Sequence, residues 1–404
     1  MVTNGLEKMA NLLKNQKIAC ISDQQYPIEK ADSEQVVNTV SALTSKGINI
    51  RLVIPRDWKT VGIPKQERLQ TLRNFYNLKN GLYSKELLNL PLTKLRAEKY
   101  THGILAPIWA KLNGYRIIYT RNFLPAFISN WLGLKVVFES YRFFENSNRL
   151  LGRLLRRLSK SGNFLGIITH SGISQNSLAK FGIDVDKIKV IHNGFNPVLF
   201  REEITKDQAR RQLNLMAYEK IACYTGRLDR EKGIESLLTL AAKTPEITYL
   251  FIGKSQQDPE GWITQIASKR GLENVKSLPW MTADKVATYL FAADVLLIPP
   301  TTAPLTQYGK TVLPIKLFSY LAAGRTILAP KLADTEDILN SQNAVLVEPD
   351  DPANAENAIR KIFSNVDWAN KIANKAKRDA QLLTWEARAT KIISFINERL
   401  NNNG

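Results

Sequence analysis

The chain has 404 residues, with 56 Lys and Arg against 37 Asp and Glu and a formal net charge of +19. That length is more than one core can fill, so two or three domains are expected, and a 44% hydrophobic, 23% charged composition excludes a disordered chain. Two cysteines and three histidines make neither a disulfide framework nor a metal cluster, no apolar run reaches the ~18–20 residues of a membrane span, and the opening MVTNGLEKMANLLKNQ is too polar for a signal peptide, so a reducing, cytoplasmic setting is expected.

In chain order, KIACIS (17–22) reads as a buried strand, followed by a helix near 33–46 and a second strand, INIRLVIP (48–55). Residues 56–114 are basic and partly helical without a clear period. Further strands are RIIYT (116–120), KVVFE (135–139), LGIIT (165–169) and IKVIH (188–192). Between them NRLLGRLLRRLSKS (148–161) sets Leu150, Leu151, Leu154, Leu155 and Leu158 at helical spacing among Arg149, Arg153, Arg156, Arg157 and Lys160. This is either a core helix with a solvated face or a peripheral membrane contact. NGFNPVLF (193–200) suits a domain boundary.

The second half alternates IACYT (221–225), ITYLFIG (247–253), NVKSL (274–278), DVLLIP (294–299), TILA (326–329) and AVLV (344–347) with helices near 234–243, 260–270, 282–292, 312–323, 334–340 and 352–364. After about 366 the pattern is helical to the end. Short strands separated by helices mean βαβ units. The fold class is therefore α/β, two Rossmann-like doubly wound domains facing a central cleft, with ligands beyond the carboxyl ends of the strands.

Charge is uneven along the chain. Residues 1–200 hold 29 Lys and Arg against 13 acids, net +16, and the remainder 27 against 24, net +3. Such an excess suits an anionic membrane, an acidic substrate or nucleic acid, and no helix-turn-helix, zinc-finger or RRM pattern accompanies it, so nucleic acid is set aside.

Three stretches bear on chemistry. SDQQYPIEKADSEQ, after the first strand, lacks the glycines of a dinucleotide fingerprint, which argues against a nicotinamide enzyme. GRLDREKG (226–233) puts Gly226, Arg227 and Lys232 between a strand and a helix, as either a solvated loop or an anion site. PLTQYGKT (304–311) has the Lys-Thr step of a phosphate loop but Pro304 in place of the first glycine, which a loop of open amides tolerates badly. There the expectation is instead that Gly309 and Lys310 lie before a helix over 312–323 whose first amides attract an anion, with Pro314 in its first turn. A diphosphate between these two elements accounts for both.

The stretches IITHSGISQNSLAKFGIDVDKIKVIHNGFN, YTGRLDREKGIESLL, SLPWMTADKVATYLFAADVLLIPP, KLFSYLAAGRTILAP and LLTWEARATKII together resemble, in their order, the retaining nucleotide-sugar glycosyltransferases of family four, which have the GT-B fold. The resemblance runs from about residue 165 to the end, and KIACISDQQYPIEKADSEQVVNTVSALTSKGINIRLVIP agrees more loosely. It implies an acceptor-binding domain over 1–195, a nucleotide-sugar-binding domain over 196–380 and a closing helix over 381–404. It also implies that Arg227 and Lys232 neutralise the donor diphosphate, and that Trp280 and Met281 fall where the base is contacted. The chain lacks the family's usual pair of glutamates: Thr311 and Ser319 stand there, and Tyr141 stands where a histidine often follows, two residues after Glu139. By the same resemblance Glu139 and Tyr141 meet the acceptor side and the function is retaining sugar transfer to a hydroxyl; with two cations and a helix dipole serving the diphosphate, no metal or other cofactor is expected. The basic excess favours an anionic or lipid-linked acceptor at the inner membrane surface. The alternative is a GT-B scaffold without turnover that binds another glycosyltransferase.

Overall fold

The computed structural model describes residues 12–56, 58–78, 81–88, 97–141, 149–201, 204–255, 261–308 and 313–402. The chain divides into two compact units, Met1–Asn193 with Trp385–Gly404, and Gly194–Thr384. The helix Trp385–Asn402, read from sequence as a closing element, is thus part of the first unit.

The first unit is built on seven parallel strands: β1 (Ile18–Ile21), β2 (Ile50–Arg56), β3 (Ser84–Leu88), β4 (Ile117–Thr120), β5 (Lys135–Ser140), β6 (Phe164–Thr169) and β7 (Ile188–Val190). They lie in the order β3-β2-β1-β4-β5-β6-β7. Every residue of β1, β4 and β6 is buried, which is why these strands read as unbroken apolar runs with helices on both faces. Strand alternation sends Ala19, Ile21, Val53 and Ile118 to one face, against Ala106 and Ala110 of the helix Ala97–Leu112. On that same face Val136, Phe138 and Ile167 pack against Ala126, Leu155 and Leu158 from the helices Phe123–Trp131 and Arg149–Ser159. The other face is covered by the helices Ala31–Ser45 and Trp385–Asn402, and Arg399 Nε of the latter donates to the Leu165 carbonyl at 2.9 Å.

The second unit has six parallel strands: β8 (Ile221–Thr225), β9 (Thr248–Ile252), β10 (Val275–Leu278), β11 (Val295–Leu297), β12 (Thr326–Pro330) and β13 (Val345–Val347), in the order β10-β9-β8-β11-β12-β13. Helices Ile234–Lys243, Trp262–Lys269, Ala283–Ala292, Lys316–Ala323, Pro352–Ser364 and Val366–Ala380 cover its faces. Cys20 and Cys223 are free and buried in their respective cores. Among the described residues no helix is long and apolar enough to cross a membrane.

Two expectations are corrected. Residues 334–340 are not a helix but turns over 333–338 followed by irregular chain: Thr335 Oγ1 donates to the Leu332 carbonyl at 2.8 Å, a side-chain bond that competes with helical pairing. The helix expected from 312 begins at Lys316, because Pro314 has no N–H and biases Leu313 away from helical geometry. The first half of PLTQYGKT is itself helical, within Ala303–Tyr308, which rules out a phosphate loop there. Strand order reverses between β1 and β4 and between β8 and β11. Each reversal opens a crevice beyond the carboxyl ends of its sheet.

Candidate functional site

The turn GRLDREKG leaves β8 at the reversal point of the second sheet. Gly226 sits at φ +123°, and its N–H donates to the Ile252 carbonyl at 2.8 Å. It crosses directly over Gly253, where a Cβ would lie 1.8 Å from the Gly226 carbonyl oxygen, so Gly253 has no room for a side chain. Three further bonds pin the turn. Leu228 N–H donates to the Lys254 carbonyl at 3.0 Å, Trp262 Nε1 to the Leu228 carbonyl at 2.6 Å, and Tyr224 OH to the Arg227 carbonyl at 2.9 Å. A site that must hold a ligand's charge benefits from such fixed dipoles and cations.

The charges on the turn are partly spent within it. Arg227 Nη2 pairs with the carboxylate of Asp229, which is fully buried, and with Glu231 Oε1 at 3.3 Å. Ser255 Oγ donates to the other Asp229 oxygen at 2.8 Å. Arg230 lies 4.7 Å above the Trp262 ring and 3.4 Å from Glu235. Lys232 is partly buried. Burial and then the charge of Arg227 push its ammonium below the ordinary lysine value, against the opposing pull of Glu231 and Asp229.

A cation that sequence reasoning missed completes the group. Lys316, first residue of its helix, sets Nζ 3.5 Å from the centroid of the Tyr224 ring and beside Gly226, where a Cβ would lie 2.9 Å from that nitrogen. Burial, and next the charge of Lys232, hold it well below the ordinary lysine value. One signal was available: a lysine opening a helix whose next residues, Leu317, Phe318, Tyr320 and Leu321, are all core. Ser319 is one turn further along that helix, on the same side as Lys316, and partly buried. Gly309, Lys310 and Thr311 lie outside the described residues. Trp280 and Met281 follow β10, two strands from β8. Trp280 is 39% exposed and Met281 packs against the core.

In the first unit the geometry separates Glu139 from Tyr141. Alternation along β5 turns Glu139 to the face beneath Ala31–Ser45 and Trp385–Asn402. Arg388 Nη2 meets Glu139 Oε1 at 2.8 Å, Gln35 donates to the same oxygen, and Tyr119 OH donates to Oε2. The expectation that Glu139 meets an acceptor is therefore corrected: its carboxylate is an internal anchor for the last helix. Arg388 also donates to the Ile191 carbonyl and, at 2.8 Å, to that of His192.

Tyr141, just beyond β5, is 44% exposed, with the Arg121 guanidinium 4.4 Å from its ring centroid. His170, just beyond β6, lies 6.3 Å from the same ring. Burial, then the charges of Arg121 and Arg388, push its imidazole down to about 3, so it is neutral at physiological pH. Its Nδ1 is buried with no hydrogen-bond partner among the described residues. Arg121, Tyr141 and His170 thus end three successive strands, β4, β5 and β6, next to the first sheet's reversal point. Together they offer a cation, an aromatic face and a neutral hydrogen-bonding ring.

Two family models match the chain: Glycosyltransferase Family 4 over residues 33–199 and Glycosyl transferases group 1 over 205–379. An uncharacterized glycosyltransferase of Methanocaldococcus jannaschii is 25% identical over 56% of this chain and 58% of its own length. A D-inositol 3-phosphate glycosyltransferase of Nocardioides is 22% identical over 56% of this chain and 52% of its own. The chain thus spans little more than half the length of these curated relatives. Among solved structures, Anabaena HepE in complex with UDP superposes with a TM-score of 0.74 at 19% identity, covering 96% of this chain and all of that one. Sucrose-phosphate synthase from Thermosynechococcus elongatus gives 0.73 at 20% identity, over 94% and 97%. At these identities the structural likeness establishes the fold, two parallel-sheet Rossmann-like domains of the GT-B type.

Proposed function

We propose that this chain, which carries a Glycosyltransferase Family 4 domain followed by a Glycosyl transferases group 1 domain, moves a sugar from a nucleoside diphosphate to a hydroxyl acceptor with retention of configuration. The observation that carries the reading is the cationic turn at the second sheet's reversal point, which carries Arg227 and Lys232 and has the Lys316 ammonium beside Gly226. As the bond to the sugar breaks, negative charge grows on the departing diphosphate. Cations already fixed there stabilise that state more than the ground state, and no metal is then needed for it. In a same-face route the acceptor hydroxyl attacks the anomeric carbon while the leaving phosphate oxygen takes its proton, so retention requires no enzyme nucleophile. Ser319 supplies a hydroxyl where a carboxylate is usual, giving hydrogen bonds without charge. Relatives whose names specify sugar transfer, and a structural neighbour that holds UDP, support a nucleoside-diphosphate donor.

For the acceptor, Arg121 over Tyr141 beside the neutral His170 suits a polyhydroxyl group that bears negative charge. A lipid-borne acceptor is favoured by the outer surface of the three helices on one face of the first sheet. Tyr100, Ile104, Ile108 and Leu112 recur every fourth residue and are exposed, as are Leu105, Trp131 and Leu150. Exposed Arg149, Arg153, Arg156, Arg157 and Lys160 accompany them. An apolar stripe with neighbouring cations matches an anionic membrane surface. A scaffold without turnover is not favoured, since the turn keeps its cations.

The test is calorimetric titration with UDP, GDP and ADP, followed by turnover of the matching nucleotide sugars in EDTA and assignment of the product anomer by NMR. Binding of one diphosphate and transfer with retention are expected. Failure to bind any of the three would overturn the reading.

A further inference from the structure

The buried carboxylate of Glu139 is joined to the Arg121 guanidinium through a single side chain, Gln35, which is 3% exposed. Gln35 Nε2 donates to Glu139 Oε1, which fixes the way the amide faces, and its Oε1 accepts from Arg121 Nη1. Arg388 and Tyr119 hold the same carboxylate. Arg121 Nη1 also donates to the Asp32 carbonyl at 3.1 Å, while the Asp32 carboxylate accepts from Gln24 and from the Ser33 N–H. The face of the Tyr141 ring steadies the guanidinium without using one of its donors. All these contacts orient Arg121, and none is an ion pair. An amide passes on a hydrogen bond but not a charge, so among the described residues the positive charge of Arg121 has no acid and its Nε and Nη2 have no acceptor.

That edge of a guanidinium matches two oxygens lying side by side. Arg121 is the only cation among the described residues at the ends of β4, β5 and β6, because His170 beside Tyr141 is neutral and offers hydrogen bonds alone. One fixed positive charge balances one negative charge. A phosphate monoester brings about −1.5 to −2 near pH 7, and its excess would stay uncompensated.

We infer that Arg121 binds the anionic group of the acceptor, that this group carries one charge shared by two oxygens, as a carboxylate or a phosphodiester does, and that Gln35 is a positioning residue that presents Arg121 without neutralising it. The inference rests on the nucleotide-sugar reading above only in calling this ligand the acceptor.

The deciding experiment titrates the full chain, without nucleotide, with methyl glucuronide, glycerophosphoinositol, glucose 6-phosphate and methyl glucoside, each followed by saturation-transfer NMR. Arg121→Met, Arg121→Lys and Gln35→Met are titrated in the same way, and each is melted. The unaltered chain is expected to bind the glucuronide or the phosphodiester about tenfold or more tighter than the neutral glucoside, the scale of a charge-assisted pair. It is also expected to prefer them to glucose 6-phosphate. Whichever of the two binds more tightly names the source of the charge. Arg121→Met is expected to lose the preference at a Tm close to that of the unaltered chain, and Arg121→Lys to recover part of it, since the charge is kept without the fork. Gln35→Met keeps its affinity for the glucoside but prefers the anion less, which a loss of stability alone would not produce. No preference in the unaltered chain, or a preference intact in Arg121→Met, overturns the inference. Glucose 6-phosphate binding best overturns the single charge, and an unchanged preference in Gln35→Met removes Gln35 from the account. With no nucleotide present, these results leave the donor reading untouched. Failure to bind UDP, GDP and ADP would sink that reading while the anion preference still stood.

Discussion

Each unit carries one conspicuous ionisable side chain near the carboxyl edge of its sheet, and the two are settled in opposite ways. Glu139 in the first unit has both oxygens occupied, by Arg388, Gln35 and Tyr119. Lys316 in the second rests on one aromatic ring. Residue type had suggested the reverse emphasis, with the glutamate as a site residue and the lysine unnoticed. Partnership is the better guide: a saturated charge belongs to the architecture, and a charge with no acidic partner among the described residues is the better candidate for a site.

The sharpest way to break this comparison is at Glu139. Glu139→Ala leaves Arg388 buried without its acid and is expected to cost about 3–5 kcal/mol of stability, read from the urea midpoint. Glu139→Gln is expected to cost less, since it keeps hydrogen bonds to its neighbours. A Glu139→Ala protein of normal stability but with no transfer activity would show that the residue belongs to the chemistry after all. Next in size, Lys232→Ala is expected to slow transfer about 10²–10³-fold at an unchanged Tm, the scale of losing one fixed charge stabiliser in a transition state. Full activity in that variant would remove the turn from the mechanism.

Acid and alkali should separate the units. In the first, His170 and His102 are held near 3 and 4 against an ordinary 6.5, both chiefly by burial. Below 6.5 the unfolded chain binds protons that the folded one refuses, so stability falls as pH drops from 6.5 toward about 3–4. Lys316 has the same sign in a different window. The unfolded lysine keeps its proton up to about 10.5 while the folded one gives it up earlier, so stability rises with pH between its depressed value and 10.5. Melting curves at pH 7, 5.5 and 4 should fall less steeply in His170→Asn, and an identical slope would take His170 out of the account. The smallest effect on the fold is expected at the surface. Ile104→Asp with Leu150→Ser should change stability by no more than about 0.5 kcal/mol yet abolish flotation with anionic liposomes. Flotation that persists would sink the membrane contact.

Much of the architecture was legible because buried parallel strands announce themselves. IACYT coincides with β8 residue for residue, and TILA falls within β12. Strand β3 was not legible, since Ser84–Leu88 places Lys85 and Glu86 inside it at the sheet's edge, where only one neighbour imposes a pattern. The helix over 334–340 was overread because its spacing is helical while Thr335 diverts the backbone. At the site, Gly226, Arg227 and Lys232 were readable from one contiguous turn. The charge balance was not. It depends on Ser255 holding Asp229 and on Tyr224 beneath Lys316, contacts between strands and loops that sequence spacing does not encode. Likewise Glu139 and Arg388 are 249 residues apart, and nothing local in FESYRFF indicates that partner.

The long reach of that pair also sets an order of events during synthesis. The second unit is a single continuous segment, Gly194–Thr384, whereas the first waits for the helix Trp385–Asn402 to supply Arg388. At about 5–20 residues per second, a ribosome takes roughly 10–40 s to make the intervening segment. Throughout that interval Glu139 lacks Arg388 and one face of the first sheet has only part of its cover, the helix Ala31–Ser45. The half of the protein made first is therefore the half that finishes last, and any nascent-chain binding factor should dwell on it while the later half is already closed.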